Sequence, residues 1–234
     1  MNSIKLILFA LLVFITFSNA QDIKPVKTAQ DVIDNYMETN GGADNLKDVK
    51  SIKTTGSMNI MNTDVKLTVY ISKDAFYLST ESADFKLIQA YDAKKNTGWT
   101  AFGEGVKDMP DADLGRLKES IEASLWVYYY DKNKYGITYE LLQDEKIDSV
   151  ACYVVEFKKG AEELQTVYYD KKNYNRVKSI SPGNISTYSD FRKTGDFDIY
   201  MPYKITTSEH ELKLTRYEFN KDFDKKLLEK PKEN

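Results

Sequence analysis

The chain has little of what metalloenzymes and disulfide-stapled domains are built from: one histidine, one cysteine and five prolines in 234 residues. A single cysteine forms no internal disulfide. One histidine excludes two- and three-histidine metal sites, and Glu209-His210-Glu211-Leu212 lacks the second histidine that a helical zinc protease site requires. His210 falls between two apparent strands and reads as a solvated turn residue. No Gly-x-Ser-x-Gly elbow occurs, and no glycine-rich segment continues into the Lys-Ser/Thr of a phosphate loop. Gly41-Gly42 and Gly103-Glu104-Gly105 read as a helix C-cap and a turn. Residues 131–136 open like a calcium loop, but the twelfth position is Leu142 where a bidentate Glu is needed, so a polar hairpin is expected there. Carboxylates are plentiful, and no spacing singles out a pair. The sequence therefore leads us to expect no catalytic residue, no metal and no cofactor. A basic field is missing too: 33 Lys and Arg stand against 36 Asp and Glu, with both signs interspersed, which argues against nucleic acid as a partner.

Long apolar runs are absent except at the start. Lys5 precedes an apolar run over residues 6–17, and Ser18-Asn19-Ala20 places small residues where a signal peptidase reads them. Residues 1–20 are thus expected to be a signal peptide cleaved after Ala20. The run is shorter than the roughly 20 apolar residues a spanning helix needs. Gln21 follows the cut, not Cys, so neither a lipid-modified N-terminus nor a transmembrane anchor is expected on the mature chain. Residues 21–234 carry no Pro/Gly/Ser-rich linker and read as one domain. Loss of Lys5 from 33 basic and 36 acidic residues leaves a net charge of −4.

Three segments carry a helical pattern. Thr28 is a cap with Asp31 three residues on, followed by Val32, Ile33, Tyr36 and Met37 on one face, and Gly41-Gly42 ends the run. Residues 43–49 suit one or two further turns. Pro110 suits a first helical position, with Asp108, Asp111 and Asp113 at the positive end of the dipole and Leu114, Leu117, Ile121 and Leu125 as an apolar stripe.

Most of the remainder alternates with the period of a strand. About eleven strands are expected, over residues 65–71, 76–78, 85–91, 98–102, 137–141, 150–157, 164–169, 176–180, 185–191, 200–206 and 212–219. Short turns between them imply an antiparallel meander. Thirty aromatic residues, 27 of them beyond the signal segment, and strands apolar on both faces call for cover on each side. Cys152, in phase with Val150 and Val154, reads as a buried, inert thiol. The fold class expected is mainly β with few helices: a strongly curved antiparallel sheet, a half-open barrel whose concave face the helices cover. Residues 221–234 are strongly charged and should form a partly docked, partly frayed tail.

Several local patterns carry a resemblance. Asn40-Gly41-Gly42-Ala43, with Leu46 and Val49-Lys50-Ser51-Ile52 leading to a strand containing Gly56, resembles the opening of periplasmic lipoprotein carriers of the LolA/LolB superfamily. Tyr91-Asp92 before Gly98-Trp99 resembles that family's Asp-Gly…Trp hairpin. Residues 168–172, the stretch 188–192 with Met201-Pro202-Tyr203, and the ending Phe219-Asn220…Phe223-Asp224…Leu227-Leu228…Pro231 are similar to its later strands and closing segment. The resemblance spans nearly all of the mature chain. It implies an apolar cavity under a helical lid, in which acyl chains of lipoproteins are carried through the periplasm without covalent chemistry. It departs at one place: where the carriers often show Arg-Pro between the second and third strands, implicated in holding the lid closed, this chain has Lys73-Asp74-Ala75, and Lys lacks the planar donor fork of Arg.

The reading reached from sequence is a periplasmic, non-enzymatic carrier or chaperone for an acyl-bearing ligand, lipoprotein or lipid, with membrane-bound donor and acceptor proteins as further partners. The expected cavity residues are Leu67, Val69, Phe76, Leu78, Trp99 and Phe102 from the sheet, and Leu114, Leu117, Ile121 and Trp126 from the lid. The alternative is an envelope sensor or protein-interaction module with the same fold.

Overall fold

Alternating apolar and polar residues become one antiparallel sheet in the computed structural model, which describes residues 23–60, 63–83, 86–103, 105–195 and 197–231. The expected signal peptide, residues 1–20, lies outside the described residues, as do residues 232–234 of the tail. Thirteen strands follow one path and a short fourteenth lies beside it. In chain order they are β1 (Ser51–Ile60), β2 (Thr63–Ser72), β3 (Ala75–Glu81), β4 (Lys86–Asp92), β5 (Thr97–Phe102), β6 (Gly105–Asp108), β7 (Ile137–Leu141), β8 (Glu145–Ile147), β9 (Val150–Lys159), β10 (Glu162–Asp170), β11 (Arg176–Ser181), β12 (Asn184–Thr194), β13 (Ile199–Thr207) and β14 (Glu211–Phe219). The order runs β6-β5-β4-β3-β2-β1-β14-β13-β12-β11-β10-β9-β7, with β8 paired to β9. The curved sheet is unclosed: β6 and β7 are its edges, and the pairing of β1 with β14 joins the two ends of the chain.

The strand count exceeds the expected eleven by β1, β6 and β8. The last two have four and three residues, too short to show a period. β1 is rich in Ser, Thr, Lys and Gly, and it is bulged at Thr55/Gly56 where it meets β14. A Cβ on Gly56 would strike the Lys213 carbonyl oxygen, so glycine there permits the close approach.

The helices are α1 (Ala29–Thr39), α2 (Gly42–Asp48), α3 (Asp111–Ser124), α4 (Val127–Tyr130) and α5 (Lys132–Tyr135). Thr28 and Asp31 form a full capping box. Asp31 Oδ2 accepts from the Lys27 and Thr28 amides at 2.9 and 2.8 Å, and these bonds hold its carboxyl below the usual range. Gly41, at φ 84°, turns the chain out of α1 and into α2. Buried Asn40 ties this corner to the sheet: its amide donates to Tyr36 O at 2.8 Å, and its carbonyl accepts from Tyr200 N at 3.0 Å. Pro110 stands at the N-cap of α3, one residue earlier than its sequence position suggested. The polar hairpin expected over residues 131–136 is corrected: α5 occupies it, because Gly136 at φ 66° caps a single helical turn.

Pairing register sorts the two faces. Ile71, Phe76 and Tyr91 lie side by side in β2, β3 and β4 and join a core with α1, α3 and α4 on the concave side. The strands apolar on both sides behave accordingly in β9: Val155 and Phe157 enter that core, while Cys152 and Val154 pack with Tyr168 on the convex side. Cys152 is fully buried and burial pushes its thiol up.

Candidate functional site: the concave face and its helical cover

The concave face has two halves of different chemistry. In β1–β4 it is largely apolar, with Leu67, Val69, Ile71 and Leu78 beside Phe76 and Tyr91. Leu67 is buried there; Val69 and Leu78, paired across β2 and β3, pack on the core and are partly buried, as is Phe76. From the helices, Leu114, Ile121 and Trp126 are buried in the same core, and Leu117 packs against it with part of its surface open. Trp126 donates its indole N–H to the Tyr36 hydroxyl at 2.8 Å. Eight of the ten residues expected to line a cavity thus share this face or the helices above it.

Trp99 lies on the other face, and Phe102 at the margin of this one. In β5 the concave side is taken by Gly98, where a Cβ would come within 2.8 Å of Leu114 Cδ2 and 2.9 Å of Met109 Sδ. Trp99, the next residue, points to the convex side. There its indole N–H donates to Leu228 O at 2.9 Å, under the C-terminal segment. Phe223 of that segment stacks on Tyr70 at 4.2 Å, so residues 221–228 are docked on the convex side. Phe102 alternates onto the concave face but ends its strand 61% exposed.

The second half, β9–β14, is phenolic. Tyr36 of α1 lies 5.2 Å from the Tyr129 ring and 5.3 Å from that of Tyr169, and the Tyr129 and Tyr169 hydroxyls are 3.1 Å apart. Burial pushes the Tyr36 phenol up to about 12 and raises Tyr169 well above its ordinary value. Beside this cluster stands Arg176. Its Cα is the register partner of Tyr169, and its guanidinium lies 5.3 Å above the Tyr188 ring. Burial opposes the charge, and Tyr36, Tyr129, Tyr188 and Tyr169 outweigh it, so the pKa stands above the ordinary guanidinium value.

Sequence reasoning missed Arg176 and the phenols around it. A charged residue in an alternating strand reads as solvent-facing, and Arg176 sits two residues from Lys178. A register shift between Tyr168 and Tyr169 breaks the alternation: Tyr169 pairs with Arg176 and Tyr168 with Lys178. Arg176 therefore turns inward, and Lys178 sits over the convex Tyr168 ring at 5.0 Å. The surplus of tyrosine, 17 residues, was the available signal.

Two of the clefts bordering these elements lie on opposite sides of the sheet. One of about 440 Å³ opens where α3 meets the sheet, between Tyr91 and Asn96 on one wall and Ile121, Glu122 and Leu125 on the other, with Lys73 and Lys118 at its margin. The larger, about 750 Å³, lies on the convex side against the C-terminal segment and is rimmed by Lys50, Lys73, Lys94, Lys95, Lys221 and Lys225. Lys94 and Lys95 are paired with Asp74 and Asp92, at 3.2 and 3.4 Å. His210 sits in the turn between β13 and β14, where its amide donates to Thr207 Oγ1 at 2.9 Å. Among the described residues no three His, Cys, Asp or Glu are placed to hold a metal ion, and no helix is long and apolar enough to cross a membrane.

A curved, unclosed antiparallel sheet with helices laid over its concave side defines the class of architecture. It is a LolA-like fold. A LolA superfamily protein from Nitrosomonas europaea matches with a TM-score of 0.51 at 13% identity, over 88% of this chain and 99% of that one. A domain described as outer membrane lipoprotein-sorting from Vibrio parahaemolyticus gives 0.53 at 12% identity, over 85% and 94%. A DUF1329 family protein from Desulfovibrio piger gives 0.53 at 12%, over 87% and 98%. At these identities the likeness is one of fold. No protein-family model and no curated protein matches the sequence.

Proposed function

We propose that the protein is a periplasmic carrier that holds an acyl chain of a lipoprotein or lipid against its concave face, without covalent chemistry. The observation that carries this reading is the half-open apolar surface of β2 and β3. Val69, Phe76 and Leu78 belong to the core, and Leu117 of α3 hangs over it, yet all four keep part of their surface uncovered. Each buried methylene contributes about 0.8 kcal/mol, so ten of them supply on the order of 8 kcal/mol before the cost of association. The sorting of lipoproteins named for the Vibrio relative supports the same class of ligand. Export by the segment 1–20 would place the carrier in the periplasm.

The test is native mass spectrometry of protein expressed with its first 20 residues and purified without detergent. Bound species that extract into organic solvent and carry acyl chains are expected. A protein that is empty and takes up no acyl ligand on titration contradicts carriage, and the interaction-module reading then gains.

A further inference from the structure

The chain contains four arginines. Three are matched by carboxylates at the surface: Arg116 with Asp113 at 3.7 Å, Arg192 with Asp190 at 2.6 Å and Arg216 with Glu218 at 3.2 Å. Arg176 is different. It faces the concave interior, and among the described residues its guanidinium has neither a carboxylate within ion-pair distance nor a hydrogen-bond acceptor.

The phenols nearest to it are engaged with other groups. Tyr188 shares a 2.8 Å hydrogen bond with Ser179, Tyr129 one of 3.1 Å with Tyr169, and Tyr36 accepts from Trp126. The face of the Tyr188 ring lies 5.3 Å from the cation. A guanidinium stays protonated at any physiological pH and presents five donors in a planar fork. The Arg176 nitrogens are not among the buried side-chain atoms that lack a partner, so water, and hence an anion, can reach these donors. Arg176 is only half-buried, although the groups acting on it most strongly belong to the core. Part of its surface is therefore open to solvent.

We propose that Arg176 is a ligand-binding residue that takes the anionic end, carboxylate or phosphate, of the molecule whose acyl chain lies on the apolar half of the same face. This rests on the carrier reading and narrows it. An acyl group esterified or amidated on a lipoprotein is uncharged at the point of attachment, so the preferred ligand is a free fatty acid or an acidic phospholipid. The polarity of the face fits such a ligand, with Val69, Leu78 and Leu117 toward one end and Arg176 among tyrosines toward the other.

The experiment compares dodecanoate, dodecanol and inorganic phosphate on the delipidated full mature chain and on Arg176→Met and Arg176→Lys. Charge-assisted hydrogen bonds give dodecanoate a preference over dodecanol of about tenfold or more in the unmodified protein. R176M is expected to abolish that preference and leave dodecanol affinity unchanged, the latter also reporting that the variant folds. R176K keeps a charge without the fork and is expected to lose about threefold of the preference. Equal affinity for the two ligands in the unmodified protein, or a preference that survives both substitutions, overturns the assignment. If neither ligand binds, the acyl-carrier reading fails instead. Phosphate then decides on the site alone: raised thermal stability that R176M removes retains an anion site at Arg176, and no such effect overturns it.

Discussion

Tyrosine does more than fill space in this protein. Tyr36 and Tyr169 are buried, and burial disfavours the phenolate, which puts Tyr36 at about 12 and Tyr169 well above the ordinary 10. The folded state keeps these protons at a pH where the unfolded chain has released them. Their contribution to stability is therefore complete below about pH 10 and is lost as pH climbs through about 12. An alkaline titration followed by phenolate absorbance and circular dichroism is expected to show exposed tyrosines ionising first and the remainder only as the fold is lost. A single step near pH 10 for all of them, with the fold intact, would contradict the buried cluster. Tyr36 and Met37 were legible as one helical face, because a helix displays its apolar stripe in the order of the chain. The meeting of Tyr36, Tyr129, Tyr169 and Arg176 was not: it joins four elements, α1, α4, β10 and β11, the last through a bulge that reverses the facing of Arg176.

The helices and hairpins were the most readable part. The Thr28–Asp31 cap, the stripe of α3 and most strands follow from local chemistry alone. Phase was harder, because a slip of one residue exchanges the faces of a strand. In β5 the pairing of Gly98 with Tyr91 settles it, and the size of Trp99 misled. Gly98 owes its place to packing, since a Cβ would sit 2.8 Å from Leu114 Cδ2 and 3.0 Å from the Ala90 carbonyl oxygen. Leu114 can move, and the backbone of β4 cannot. Gly98→Val is expected to lift the first half of α3 from the sheet and cost about 1–3 kcal/mol in urea denaturation. Stability equal to that of the unmodified protein would show that α3 does not rest on β5 as described.

The two tryptophans of the chain stand on opposite sides of one sheet. Trp126 lies within the concave core, bonded to Tyr36, and Trp99 lies on the convex side under the docked residues 225–228. That arrangement places one on each side of the sheet, toward the cleft bordered by α3 and toward the lysine-rimmed cleft beneath the C-terminal segment. The larger convex cleft offers more volume, but six lysines rim it, whereas Val69, Phe76, Leu78 and Leu117 lie on the concave side. An acyl chain should therefore prefer the concave side. Quenching of tryptophan emission by a bromine-labelled fatty acid, measured on Trp99→Phe and Trp126→Phe, tests this most directly. Quenching that persists in W99F and disappears in W126F is expected; quenching carried by Trp99 alone would place the ligand on the wrong face and contradict the account.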